Sequence, residues 1–143
     1  MFTLDQTLAR DCAVVGDLPL CRLLLMNDSQ YPWLILVPRQ DGLREICQLD
    51  DDQQAKLMNE SNLVSHILLQ EFGAEKLNVA ALGNMVPQLH LHHIARYAGD
   101  PAWPKPVWGA LPPKPYSADA LEERLARLQR SLAAVGSPLS FPA

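Results

Sequence analysis

The sequence predicts an α+β fold: an antiparallel sheet carrying one long helix, then a proline- and tryptophan-rich arm and a terminal helix. Three observations lead there. Short apolar runs of strand length lie on both sides of a single long helical pattern, instead of alternating with several helices. Gln88-Leu89-His90-Leu91-His92-His93-Ile94 alternates amide or imidazole side chains with leucine, which is the period of a strand. Half of the twelve prolines crowd into residues 101–115, a density that no regular helix or central strand survives.

Residues 3–10 suit a short opening helix, with Leu4 and Leu8 on one side. Residues 12–15 and 21–26 read as strands, separated by Gly16-Asp17 and Pro19. Asn27-Asp28-Ser29-Gln30 has the composition of a turn, and the apolar run 33–38 follows as a third strand, closed by Asp41-Gly42. Residues 45–49 suit a short edge segment.

The long helix comes next. Asp50, Asp51 and Asp52 stand where carboxylates satisfy free amides and the helix dipole. Leu57, Ser61, Val64, Leu68 and Phe72 recur at helical spacing, and Gly73 follows as a stop. His66 falls on the opposite, solvated side. Residues 76–82 and 89–96 then read as two strands around Gly83-Asn84, completing an antiparallel meander. Trp103 and Trp108 lie in an arm expected to be extended, and two tryptophans in an arm anchor it to its own domain or to a partner. From Ser117 a second helix carries the stripe Leu121, Leu125, Leu128 and Leu132, expected to dock on the body. We therefore divide the chain into residues 1–99, an arm at 100–116, and a helix with tail at 117–143, all within a single domain.

At 143 residues the chain supports one domain with a proper core. A net charge of −4 argues against broad binding of nucleic acid polymers, which needs a basic stripe, yet leaves room for a small nucleotide held by local donors. Cys12, Cys21 and Cys47 are odd in number and lack metal-ligand spacing, and residues 1–6 have no basic start; both suit reduced thiols in a cytoplasmic protein. The apolar runs 23–26 and 33–37 are too short to span a bilayer, so no membrane partner is expected.

The chemistry concentrates in one strand, which holds three of the four histidines. Period-2 geometry puts Gln88, His90 and His92 on one face and Leu89, Leu91 and His93 on the other. Leucines on one side imply a buried face, leaving the histidine face to water or ligand. Imidazole titrates near neutrality and can attack phosphorus while unprotonated. A second imidazole can hold the first in one tautomer or donate to a phosphate oxygen. Gly83 lets backbone approach a ligand closely, and the Asn84 amide can bridge phosphate oxygens. Two alternatives use the same residues. His90 and His92 could chelate zinc, although no third and fourth ligand is apparent; or the polar face could be inert structure. No cofactor is expected.

The stretch from Gly83 to Ile94 resembles the signature of the histidine triad superfamily, a Gly-Gln pair shortly before His-φ-His-φ-His-φ-φ, where φ is apolar. The resemblance covers residues 21 to about 96. It implies a HIT-like fold, a homodimer joined sheet to sheet, and metal-free hydrolysis or transfer of nucleotidyl groups from dinucleoside polyphosphates or nucleoside phosphoramidates. By that resemblance His90 is the nucleophile that forms a nucleotidyl-histidine, and His92 contacts the phosphate and assists the leaving group. Asn84 matches the glutamine of the pair, and Asn27 the polar residue at the ribose. Three positions depart from the pattern. Gln88 replaces the first histidine, Trp33 stands where many members carry a further histidine, and His93 fills an apolar position and should point away from the site. A catalytically weakened nucleotide- or phosphate-binding homodimer is the alternative reading.

Overall fold

The computed structural model describes residues 1–137 and 139–142. Five strands form one antiparallel sheet: β1 (Cys12–Asp17), β2 (Cys21–Met26), β3 (Trp33–Pro38), β4 (Lys76–Ala80) and β5 (Leu91–Arg96), in the order β1-β2-β3-β5-β4. The α+β class is as the sequence predicts, but the sheet is not a plain meander. After β3 the chain crosses through the helix α2 (Asp51–Glu71) to the far edge, and β5 returns between β3 and β4. Burial explains the order. Every residue of β5 is buried, as a central strand covered on both faces requires, whereas β4 is half exposed and suits an edge.

The α2 start follows from its sequence. The Asp50 carboxylate accepts from the Gln53 N–H at 2.8 Å while the Gln53 side chain returns to the Asp50 N–H at 3.2 Å, a reciprocal cap. Gly73 ends it in the left-handed conformation, φ +61°. Between the sheet and the helices, Leu23, Leu25, Leu34 and Leu36 meet Val64 and Leu68 of α2 and Leu128 and Leu132 of α3 (Ala118–Ala134). The leucine stripe of α3 thus docks on the chain's own body. On the opposite face Leu24, Trp33, Ile35 and Ile94 pack under Leu8, Ala102 and Val107.

Four expectations are corrected. The opening helix α1 covers only Gln6–Asp11, because the main chain of Thr3 and Asp5 is claimed by the side chains of Asp41 and Gln88. The segment 45–49 is a 3₁₀ turn, Ile46–Gln48, since the Gln48 side-chain oxygen accepts from the N–H groups of Arg44 and Glu45 at 2.7 and 2.8 Å. The last strand begins at Leu91, not at 89, because the Leu89 N–H bonds to the Leu43 carbonyl at 2.8 Å. The arm is not extended throughout: turns run to residue 111, and only then does it straighten. It is stitched to the β2–β3 turn by the Tyr116 N–H on the Asn27 side-chain oxygen (2.9 Å), the Gln30 amide on the Pro112 carbonyl (3.0 Å) and the Ser29 N–H on the Lys114 carbonyl (2.7 Å). No described helix is long and apolar enough to cross a membrane.

Candidate active site

Strand alternation splits the three histidines between two environments. His93 points to the helix side, fully buried, where its Nδ1–H donates to the Leu91 carbonyl (3.0 Å) and its Nε2 receives the Ser61 hydroxyl of α2 (2.7 Å). Burial pushes its pKa down to about 4, against the carbonyls of Leu91 and Leu34. It is a neutral core histidine.

His90 and His92 share the other face, with ring centroids 4.8 Å apart and edge-on. A carbonyl can only accept, so the 2.7 Å contact between His90 Nδ1 and the Gln88 carbonyl puts the proton on Nδ1. In the neutral ring of His90 the lone pair is therefore on Nε2. The Trp33 indole N–H donates to His92 Nδ1 at 3.0 Å, which forces the opposite tautomer, with the proton on Nε2. Burial lowers the His92 pKa to about 4, helped by the neighbouring His90 and opposed by the Leu82 carbonyl.

The histidine face is not open, as the alternation suggested. Both rings are 4% exposed. The arm covers His92: Trp108 stands edge-on to it at 5.1 Å and to Trp33 at 5.9 Å. What remains is a cavity of about 140 Å³ lined by Gly83, Asn84, Gln88, His90, Arg44 and Glu45 among others. Gly83 is needed there, because a Cβ would lie 2.8 Å from the Val86 carbonyl oxygen and 3.6 Å from His90 Cε1.

Of the residues singled out from sequence, Gly83, Asn84, Gln88 and His90 line this cavity, and His92 packs against His90. Asn27 does not line it; its side-chain oxygen is occupied by Tyr116. The Gln88 side chain also turns away from the histidines. Its oxygen accepts from the Asp5 N–H (2.8 Å) and its amide donates to the Thr3 carbonyl (2.9 Å). Sequence reasoning missed Arg44, which carries no periodic signal, and it saw Trp33 as a substitution without its donor role. A buried indole N–H needs an acceptor, and that requirement was the available clue. Among the described residues no group of three or more His, Cys, Asp or Glu could hold a metal ion.

Trp33→Phe keeps an aromatic ring, smaller than the indole, but removes the donor. Losing one hydrogen bond to the neutral form should raise the His92 pKa by about one unit. An NMR titration of the His92 ring checks this, and an unmoved midpoint contradicts the tautomer assignment.

A model of the HIT domain family matches residues 8–99. Among solved structures, the chain is similar to a histidine triad protein from Marinobacter aquaeolei VT8, at 54% identity over 94% of this chain and 98% of that one, with a TM-score of 0.91. It is also similar to a histidine triad (HIT) protein from Sinorhizobium meliloti 1021, at 47% identity, 92% and 98% coverage and TM-score 0.89. A third, from Bradyrhizobium japonicum, shares 47% identity over 91% and 97% with TM-score 0.88. Comparison with the curated proteins finds no match.

Proposed function

The chain belongs to the HIT-domain (histidine triad) family, and from that membership we propose that it is a nucleotide-binding hydrolase or transferase acting through a nucleotidyl-His90 intermediate. The observation that carries the reading is the His90 Nδ1–H bond to the Gln88 carbonyl, which in the neutral ring places the lone pair on Nε2, beside a cavity of phosphoryl size. The Nε2 lone pair attacks the α-phosphorus; an N–P bond forms as the bond to the leaving group breaks, and that group takes the electron pair. Water then attacks the same phosphorus. The N–P bond breaks, its electrons return to Nε2, and the water's proton passes to solvent.

Gly83 gives the phosphate oxygens close access to backbone, and the exposed Asn84 amide donates to them without a charge. His92 contributes its Nε2–H, shared with the Leu82 carbonyl, as a neutral donor. Gln88 serves through its carbonyl, which orients His90. Asn27, with its oxygen taken, keeps its amide N–H for a ribose hydroxyl. A homodimer fits the free edge of β4, where Val79 is exposed and is followed beyond the strand by exposed Leu82 and Met85.

The test is a single-turnover reaction with adenosine 5′-phosphoramidate and with a diadenosine polyphosphate, quenched rapidly and read by mass spectrometry. An adenylyl mass mapping to the His90 peptide is the expected result. Bound nucleotide with neither adduct nor AMP favours the binding-protein reading, to which the diversion of the Gln88 side chain lends its support.

A further inference from the structure

A second hollow adjoins the His90 cavity. It has a volume of about 540 Å³ and shares Arg44, Pro87 and Gln88 with that cavity; Leu4, Leu43 and Gly42 add an apolar lining. Its walls are pinned. On one side the Gln88 amide holds the main chain of Thr3 and Asp5. On the other, the Leu89 N–H holds the Leu43 carbonyl and the Gln48 side chain holds the N–H groups of Arg44 and Glu45. The third flank of the site, towards His92, is closed by Trp33 and Trp108. A substrate whose phosphorus meets His90 therefore has this cleft into which to extend.

The charge is as telling as the shape. Arg44 lines both hollows, and among the described residues its guanidinium has no carboxylate or carbonyl partner. Asp5, also in the cleft, spends a carboxylate oxygen on the Thr7 N–H, and Glu45 lines the His90 cavity. Arg44 is thus the cleft's one positive group among the lining residues.

We propose that this cleft is a second subsite, taking the departing half of the substrate, and that Arg44 commits it to anionic, phosphate-terminated leaving groups over amines. The inference rests on the nucleotidyl-transfer reading above. When a P–O bond breaks, the departing phosphate oxygen keeps its electron pair as an anion and needs only a cation beside it. When a P–N bond breaks, the amine must collect a proton. His92 cannot supply one: with Nδ1 occupied by the Trp33 N–H it is neutral, and a neutral imidazole donates a hydrogen bond but does not surrender its proton. The Gln88 amide is no acid either. The site is built to stabilise a departing anion, not to protonate a departing amine.

The test compares diadenosine tetraphosphate with adenosine 5′-phosphoramidate, which share the transferred adenylyl group, in the wild type, Arg44→Ala and Arg44→Lys. Wild type should favour the tetraphosphate. Arg44→Ala should lower kcat/KM for it at least about tenfold, the loss of a charge-assisted hydrogen bond, and leave the phosphoramidate within about twofold; Arg44→Lys should restore most of the difference. Arg44 is exposed, so an unchanged Tm is expected and confirms intact folding. Equal losses on both substrates, or a wild-type preference for the phosphoramidate, overturn the subsite while leaving the His90 reading in place. No adenylyl-enzyme from either substrate overturns both.

Discussion

His90→Ala is expected to lower nucleotidyl release by at least about 10³-fold, because it removes the atom that attacks phosphorus while every other group remains. Nucleotide binding should survive within a few-fold, since Gly83 and Asn84 still line the cavity. The substitution also strips a ring that is 4% exposed and strands the Gln88 carbonyl, so a modest fall in Tm accompanies it. Steady-state turnover, nucleotide affinity and Tm measured on the same preparation separate the two effects. A folded His90→Ala protein that binds nucleotide and still turns over above one-tenth of the wild-type rate would remove His90 from the chemistry.

The parts of this molecule legible in the sequence were those that local physics decides. The strands at 21–26 and 33–38 follow from apolar runs bounded by turn residues, and α2 from its cap, its stripe and Gly73. Alternation alone put His92 and His93 on opposite faces, where they lie. The α+β class and the histidine triad resemblance followed from these. What the sequence withheld was decided by distant partners. Gln88 bonds to Asp5 and Thr3, 83 and 85 residues away, and no local pattern announces such a tie. The histidine face reads as open because its cover, Ala102, Val107 and Trp108, arrives from an arm whose proline content says only that it is irregular. The placement of β5 between β3 and β4 was not read: the expected meander kept the strands in chain order, although Lys76-Leu77-Asn78-Val79-Ala80 mixes polar and apolar residues as an edge does. That the Asn27 oxygen is spent on the arm was likewise out of reach, since its partner Tyr116 lies 89 residues away.

Asp100→Asn is expected to cost about 3 kcal/mol. Arg96 and Asp100 form an ion pair with side chains 1% and 2% exposed, joined at 2.8 and 3.1 Å. The carboxylate also accepts from the N–H groups of Tyr97, Ala102 and Trp103 at 3.1, 3.1 and 2.8 Å. Burial alone would raise its pKa, but the guanidinium and those amides outweigh burial and hold it down at about 2. An unfolded chain binds the same proton near pH ~4. The native state's gain, about 2 kcal/mol, is therefore complete above pH 4 and drains away as the pH falls towards 2. In the asparagine variant one oxygen becomes an N–H₂ that cannot accept, and Arg96 keeps its charge in the interior with only Asn78 (2.8 Å) as an acceptor of full strength. Tm should fall by roughly 10 °C, and the drop in stability between pH 4 and 2 should shrink. The double variant Arg96→Met/Asp100→Asn should lose less than the single one, since the amide oxygen still accepts from the backbone N–H groups and no uncompensated charge is left buried. A Tm within 2 °C of wild type would show that the pair holds nothing. The effect should also reach the site. Asp100 fastens the first residues of the arm, whose Trp108 closes over His92. Loosening it admits water to that ring, so the His92 pKa, held near 4 chiefly by burial, should rise with the loss of stability.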